Sequence, residues 1–151
     1  MILIDLNVLL DVLQKREPHY RASAAVLEKV IRQDEKGFLA AHALTTAHYL
    51  VSRFQNRKKA DQVIEWLLKY FDIAAVGRDE LIRARQLGWS DLEDAVVACA
   101  AKSANCQALV ARNVKDFRNS PVAALTPGEY LLQSESNFDK IQEKQVPGYG
   151  P

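Results

Sequence analysis

A chain of 151 residues, with 48% hydrophobic and 26% charged side chains, has the make-up of one globular domain with room for a substantial core. A net charge of +1 favours neither an acidic nor a basic partner, so local charge placement must carry any argument about ligands. Cys99 and Cys106, the only two cysteines, both sit in apolar surroundings, which argues against a disulfide framework or a thiolate metal site, and no apolar run approaches the roughly 18 residues that cross a bilayer.

Met1-Ile2-Leu3-Ile4 opens the chain as a continuous apolar run, the pattern of a strand buried on both faces. No charged region precedes it, so no signal peptide is read and a cytoplasmic location is expected. Asp5 follows at once, then Asn7, before Val8–Leu13 turns apolar again. A buried carboxylate without a partner is costly, so Asp5 either caps the next helix or meets a cation. Tyr20, Ala24, Leu27, Val30 and Ile31 mark an amphipathic helix, and "FLAA" at 38–41 a second strand. Leu44, Ala47, Val51 and Phe54 predict another helix, and Ala60, Val63, Ile64, Leu67, Leu68 and Phe71 the one after it.

A strand at 72–76 ("DIAAV") and a helix from about Leu81 to Leu87, stopped by Gly88, come next. In "SDLEDAVVACAAKSA", Ser90 and Glu93 match the S-x-x-E capping box, and Asp91 falls in the first turn, where the helix dipole favours an acid. The run from Ala95 to Ala101 is apolar on nearly all sides and should be buried. Strands at 107–111 ("QALVA") and 122–125 ("VAAL") follow, then a last short helix from Pro127 to Leu131-Leu132. From Gln133 the periodicity fades and the chain ends in Pro and Gly, which predicts a domain over 1–132 and a flexible or loosely docked tail over 133–151. Short apolar strands alternating with helices predict an α/β fold with a parallel sheet covered on both faces.

In such a sheet the strand ends and helix starts share one edge, where ligand sites lie. Asp5, Asp91, Asp94, Asn113 and Asp116 all map to that edge, from three separate segments. Asp91 and Asn113 have ordinary roles available as a helix-start acid and a turn former. Asp94 lies beyond the cap and leads into the buried run, where stability does not ask for an acid. Carboxylates held together repel, and a hard divalent cation such as Mg²⁺ or Mn²⁺ removes the conflict. Such an ion suits phosphodiester hydrolysis.

With "IDLNVLLD", "SDLEDAVVACAA" and "LVARNVKDF" in this order, residues 1–130 resemble the PIN-domain ribonucleases, in particular the bacterial VapC-like toxins. The resemblance implies a three-layer α/β/α sandwich with a central parallel sheet, in which the first strand lies beside the strand at 107–111. It also implies Mg²⁺- or Mn²⁺-dependent endoribonuclease activity, with Asp5, Asp94 and Asp116 as catalytic and metal-binding acids and Asn113 and Asp91 in support. The implied partners are RNA, a small antitoxin protein and a second copy of the chain in a homodimer, with no membrane involved.

One position departs from the family. A Glu commonly stands early in the helix after the second strand; here that helix reads "HALTTAHYLV", Thr46 falls at the Glu position, and no acid occurs from Gly37 to Ala60. His42 and His48 are the nearby substitutes. Arg112, Lys115 and Arg118 surround Asp116 and are candidates to hold an RNA backbone, whereas "RFQNRKK" reads more simply as a solvated turn. Two functions are therefore in play: a metal-dependent ribonuclease, and a degenerate PIN fold that binds RNA or protein without cutting. A phosphoryl-transfer receiver or hydrolase fits poorly, because no Gly-rich phosphate loop is present.

Overall fold

The computed structural model describes residues 1–145. Five parallel strands, β1 (Ile2–Ile4), β2 (Gly37–Ala40), β3 (Asp72–Ala74), β4 (Ala108–Val110) and β5 (Ala123–Leu125), form one sheet in the order β3-β2-β1-β4-β5. Around it lie α1 (Leu6–Leu13), α2 (Tyr20–Ile31), α3 (Ala41–Phe54), α4 (Arg57–Tyr70), α5 (Arg78–Leu87), α6 (Leu92–Ser103) and α7 (Pro127–Gln145). β1 is central, pairing Leu3 with Phe38 of β2 on one side and with Leu109 of β4 on the other.

Alternation along the strands divides the core. Ile2 and Ile4 point into a cluster with Val8 and Leu9 of α1, Val26 and Leu27 of α2, Val51 of α3 and Leu67 of α4. Leu3 points the other way, against Val97, Ala98 and Ala101 of α6. A smaller cluster of Ala84, Ala95, Val96 and Cys99 joins α5 to α6. The result is the three-layer α/β/α sandwich, with its parallel central sheet, that the resemblance implied. Leu3, Ile4 and Leu9 are each 0% exposed, so each contributes about 1.5–3 kcal/mol of apolar burial. The whole of Ala95–Ala101 is buried, as its composition required. Cys99 and Cys106 are free and buried, and burial pushes both thiols up, that of Cys106 to about 11.

At Gly37 the sheet comes close to α2. A Cβ there would stand 2.7 Å from Cγ2 of Val30 and 2.8 Å from its Cγ1, so only glycine lets β2 lie this close to α2. Gly88 ends α5 in the left-handed region at φ 70°, as expected of a C-terminal glycine.

Two boundaries differ from the sequence reading. The Ser90–Glu93 capping box does not form: α6 starts at Leu92, and Asp91 is its N-cap, with Oδ1 accepting from the Asp94 N–H at 3.1 Å. Asp91 meets the same need one residue later, which leaves the Glu93 side chain free. The last helix does not stop at Leu132 but runs to Gln145. The loss of apolar periodicity after Leu132 marks solvent exposure, not a helix end, since Gln, Glu and Lys are good helix formers. The boundary expected at residue 133 thus falls inside α7, and residues 146–151 of the expected tail lie outside the described residues. No helix among the described residues is long and apolar enough to cross a membrane.

Candidate active site

β1 is the point at which the sheet switches direction: the chain first builds outward to β2 and β3, then returns to add β4 and β5 on the other side. Ligand crevices of open α/β sheets form at such points, outside the carboxyl ends of the strands. Asp5 stands there, with extended backbone at φ −68° and ψ 149°, and its N–H donates to the Val110 carbonyl at 2.9 Å, which ties it to the end of β4. It occupies the N-cap position of α1, yet its side chain makes no capping hydrogen bond. Only 9% of the residue is exposed. Burial pushes its carboxyl up to about 6 against the pull of the Asn7 and Leu6 amides, with Glu93 and Asp91 adding repulsion.

Asp94 stands in the first turn of α6, half-buried at the head of the apolar helix. Burial is again the largest cause of its shift, followed by Asp91, Asp5, Asp116 and Glu93, and together they push its carboxyl up to about 7. Asp116 is exposed on the 3-10 turn Val114–Phe117 after β4, where its Oδ2 accepts from Nδ2 of Asn113 at 2.9 Å. Asp91, Asp94, Lys115, Asp116 and Arg118 line one groove of about 600 Å³, together with Trp89. Trp89 packs edge-on against Phe117, with ring centroids 6.0 Å apart.

The structure thus brings Asp91, Asp94, Asp116, Lys115 and Arg118 to one groove; Asp5 and Asn113 do not line it, Asp5 acting on Asp94 by charge repulsion and Asn113 being bonded to Asp116. Three of the sequence-selected residues lie elsewhere. Arg112 does not line the groove; its guanidinium is held bidentately by the buried Asp11. The Thr46 hydroxyl donates to the His42 carbonyl at 3.1 Å, one helical turn back, and Thr46 does not line the groove either. His48 pairs with Asp61 of α4 at 2.7 Å. The α3 side chain that does meet an acid of this edge is His42, whose Nε2 lies 3.8 Å from Oε1 of Glu93.

Glu93 is the residue that sequence reasoning missed, because the capping-box pattern had already given it a role. The signal that could have found it was the adjacent Asp91: an Asp can serve as N-cap as well as a Ser can, and with Asp91 capping, Glu93 is released toward the strand ends.

Among the described residues no group of three or more His, Cys, Asp or Glu side chains is placed to hold a metal ion. The donors that do converge are all carboxylate oxygens, with two carboxyls pushed upward by burial and mutual repulsion. In donor chemistry, though not in spacing as they stand, these oxygens would suit a hard divalent cation that keeps several waters.

Fold and site together define a doubly covered parallel sheet with an acidic ligand edge at its switch point. A family model described as the PIN domain matches residues 1–115, and the chain belongs to the PIN-domain family. No curated protein sequence matches it. Among solved structures, a toxin–antitoxin complex from Klebsiella pneumoniae is similar at 21% identity, with 84% of this chain and 98% of that one covered and a TM-score of 0.65. FitAcB from Neisseria gonorrhoeae is similar at 24% identity, covering 85% and 99%, with a TM-score of 0.63. VapC20 from Mycobacterium tuberculosis, described as a sarcin-ricin loop cleaving toxin, is similar at 12% identity, covering 72% and 87%, with a TM-score of 0.58. At these identities the likeness is one of fold.

Proposed function

We propose that this protein is a divalent-metal-dependent endoribonuclease that hydrolyses RNA phosphodiester bonds and acts as the toxin of a toxin–antitoxin pair. The observation that carries the reading is the convergence of Asp5, Asp94 and Asp116, from three separate segments, at the switch point of a PIN-domain sheet, with carboxyls raised to about 6 and 7 at Asp5 and Asp94. Three acids that repel one another without a counter-ion are an unstable arrangement unless a cation is the resident partner.

In this reading Asp5, Asp94 and Asp116 hold Mg²⁺ or Mn²⁺, which when bound supplies an activated water and neutralises charge on a phosphoryl oxygen. Asp94, pushed up to about 7, still holds part of its proton at neutral pH, so metal binding there would be coupled to proton release. Asn113 fixes the rotamer of Asp116 through the 2.9 Å hydrogen bond. Asp91 sets the first turn of α6 and with it the position of Asp94. Lys115 and Arg118 hold the backbone of a single strand laid along the groove, a contact that fixes position without reading sequence. The partners that follow are RNA, a small antitoxin protein covering the site, and a second copy of the chain in a homodimer; the location is the cytoplasm.

A second reading, a non-catalytic PIN fold that binds RNA or protein, is favoured by one specific observation: Thr46 stands where the family commonly has a Glu, and its hydroxyl is turned back onto its own helix. Incubation of a single-stranded RNA panel with the purified protein in Mg²⁺, in Mn²⁺ and in chelator separates the two. Cleavage that needs the metal supports the nuclease. RNA binding without cleavage in any metal supports the binding module.

A further inference from the structure

Asp11 is an anomaly of the apolar core. It lies on α1 among Val8, Leu9 and Leu10 and is 0% exposed, yet it carries a carboxylate. Its partner comes from 101 residues away: Nε of Arg112 donates to Oδ2 at 3.2 Å and a terminal guanidinium nitrogen donates to Oδ1. Ser23 of α2 completes the set, its Oγ donating to Oδ2 at 3.4 Å.

Stability alone does not ask for this arrangement. Replacing a buried ion pair with apolar side chains of similar size is often neutral or stabilising, because two charges must be stripped of water to make the pair. A planar guanidinium gripped at two points supplies orientation instead. What it orients is visible from the chain on either side. Arg112 is the second residue past β4 and directly precedes Asn113, whose side chain holds Asp116. Asp11 is on the helix that Asp5 opens. A continuous path therefore runs from Asp5 along α1 to Asp11, across the ion pair to Arg112, and through Asn113 to Asp116. At the far end of the same loop the buried Phe117 anchors the chain against Trp89.

We propose that Asp11 and Arg112 are positioning residues that fix the Asn113–Asp116 loop against the β1–α1 corner, and so set the distance between two of the acids; the inference rests on the nuclease reading above. The pair touches no substrate. Its effect is on geometry, and a displacement of about 1 Å at a reacting centre can cost on the order of a hundredfold in rate.

The test uses Asp11→Leu/Arg112→Met made in a Ser23→Ala background, which removes both charges together with the buried hydroxyl that bonds Asp11 and so leaves no orphan in the core, and Arg112→Lys, which keeps the charge but loses the two-point grip. Three readouts are taken: thermal stability, amide hydrogen exchange over residues 112–118, and kcat and KM for RNA cleavage. The double variant is expected to melt near the wild-type temperature, to exchange about tenfold faster in 112–118 with the rest of the sheet unchanged, and to lose about a hundredfold in kcat at nearly constant KM. Arg112→Lys is expected to fall between the two. A folded double variant with unchanged exchange and unchanged kcat overturns the proposal, and so does an exchange increase spread evenly over the whole chain. If the double variant does not fold, Arg112→Lys decides by the same criteria. A wild type that cuts no RNA under any metal overturns the nuclease reading and leaves the exchange result to decide whether the pair orders the loop.

Discussion

At the amino-terminal edge of the sheet, Glu35 accepts the Tyr130 hydroxyl at 3.0 Å and pairs with the Met1 amine at 2.7 Å, while Asp72 at the start of β3 pairs with Lys36 at 3.1 Å. At the carboxyl-terminal edge, the charges that act most strongly on Asp5 and Asp94 are those of other acids. Both edges belong to the same sheet, but Glu35 and Asp72 each pair with a cation, whereas the charges acting on Asp5 and Asp94 are those of other acids. Among the described residues, Asp5 and Asp94, unlike Glu35 and Asp72, have no cation that would make them supports of the fold. Asp11 sharpens the point, since a carboxylate buried even more deeply than Asp5 is fully partnered six residues further along the chain.

The largest expected effect that separates the edges is on cleavage. Asp94→Asn should lower RNA cleavage by at least about a hundredfold while the protein stays folded, whereas Tyr130→Phe at the opposite edge should cut at the wild-type rate. Comparable cleavage by wild type and Asp94→Asn, both checked by circular dichroism, would remove Asp94 from the site.

Next comes the response of stability to pH in the metal-free protein. Asp5 and Asp94 have folded-state values of about 6 and about 7 against an ordinary 3.8, so between pH 4 and 7 the native state binds more protons than the unfolded one. The contribution of these two acids to stability is then fully present below pH 4 and is lost as pH rises through 6 to 7. Asp5→Asn and Asp94→Asn should each flatten that slope, as read from urea midpoints at a series of pH values. A metal-free wild type whose stability rises over the same window would contradict the raised values.

Smaller again is the cost of breaking a paired acid. Tyr130→Phe removes the hydrogen bond to Glu35 and should cost about 1 kcal/mol, or roughly 2–4 °C in Tm. Asp94→Asn in the absence of metal should cost nothing or raise Tm, because it relieves repulsion. Equal losses in the two variants would erase the contrast between the edges.

The smallest effect is expected at α3. Thr46→Glu should raise metal affinity and cleavage rate modestly, since it adds an acid one turn beyond His42 on the helix that starts at this edge. No gain in either would place position 46 outside the site.

The parallel sheet, the helix order and the buried character of α6 were legible because apolar periodicity reports burial directly, as at Ala95–Ala101 and Met1–Ile4. Asp5, Asp94 and Asp116 were legible because topology alone carries strand ends and helix starts to one edge. What the sequence hid were pairings across space. Arg112 looks like a free cation beside Asp116 until α1 brings Asp11 beneath it, and nothing local in "IDLNVLLD" announces a partner 101 residues away. Glu93 was concealed by a capping pattern that Asp91 fulfils instead, and the length of α7 was concealed by the polarity of a solvent-facing helix.

Asp5, in the proposed nuclease, stands at the end of β1 to help hold a cation and not to cap α1. A thermal-shift titration of wild type and Asp5→Asn with Mn²⁺, repeated in chelator, tests it most directly. A ligand that binds only the native state adds about 2.7 kcal/mol at a hundredfold excess over its Kd, and at roughly 2–4 °C per kcal/mol that is a rise of about 5–10 °C for wild type. Asp5→Asn should lose most of that rise while keeping its metal-free Tm at or above the wild-type value. Asn is itself a good cap, so if capping is the role of Asp5, the variant will keep the full metal-induced rise, and that result would contradict the account.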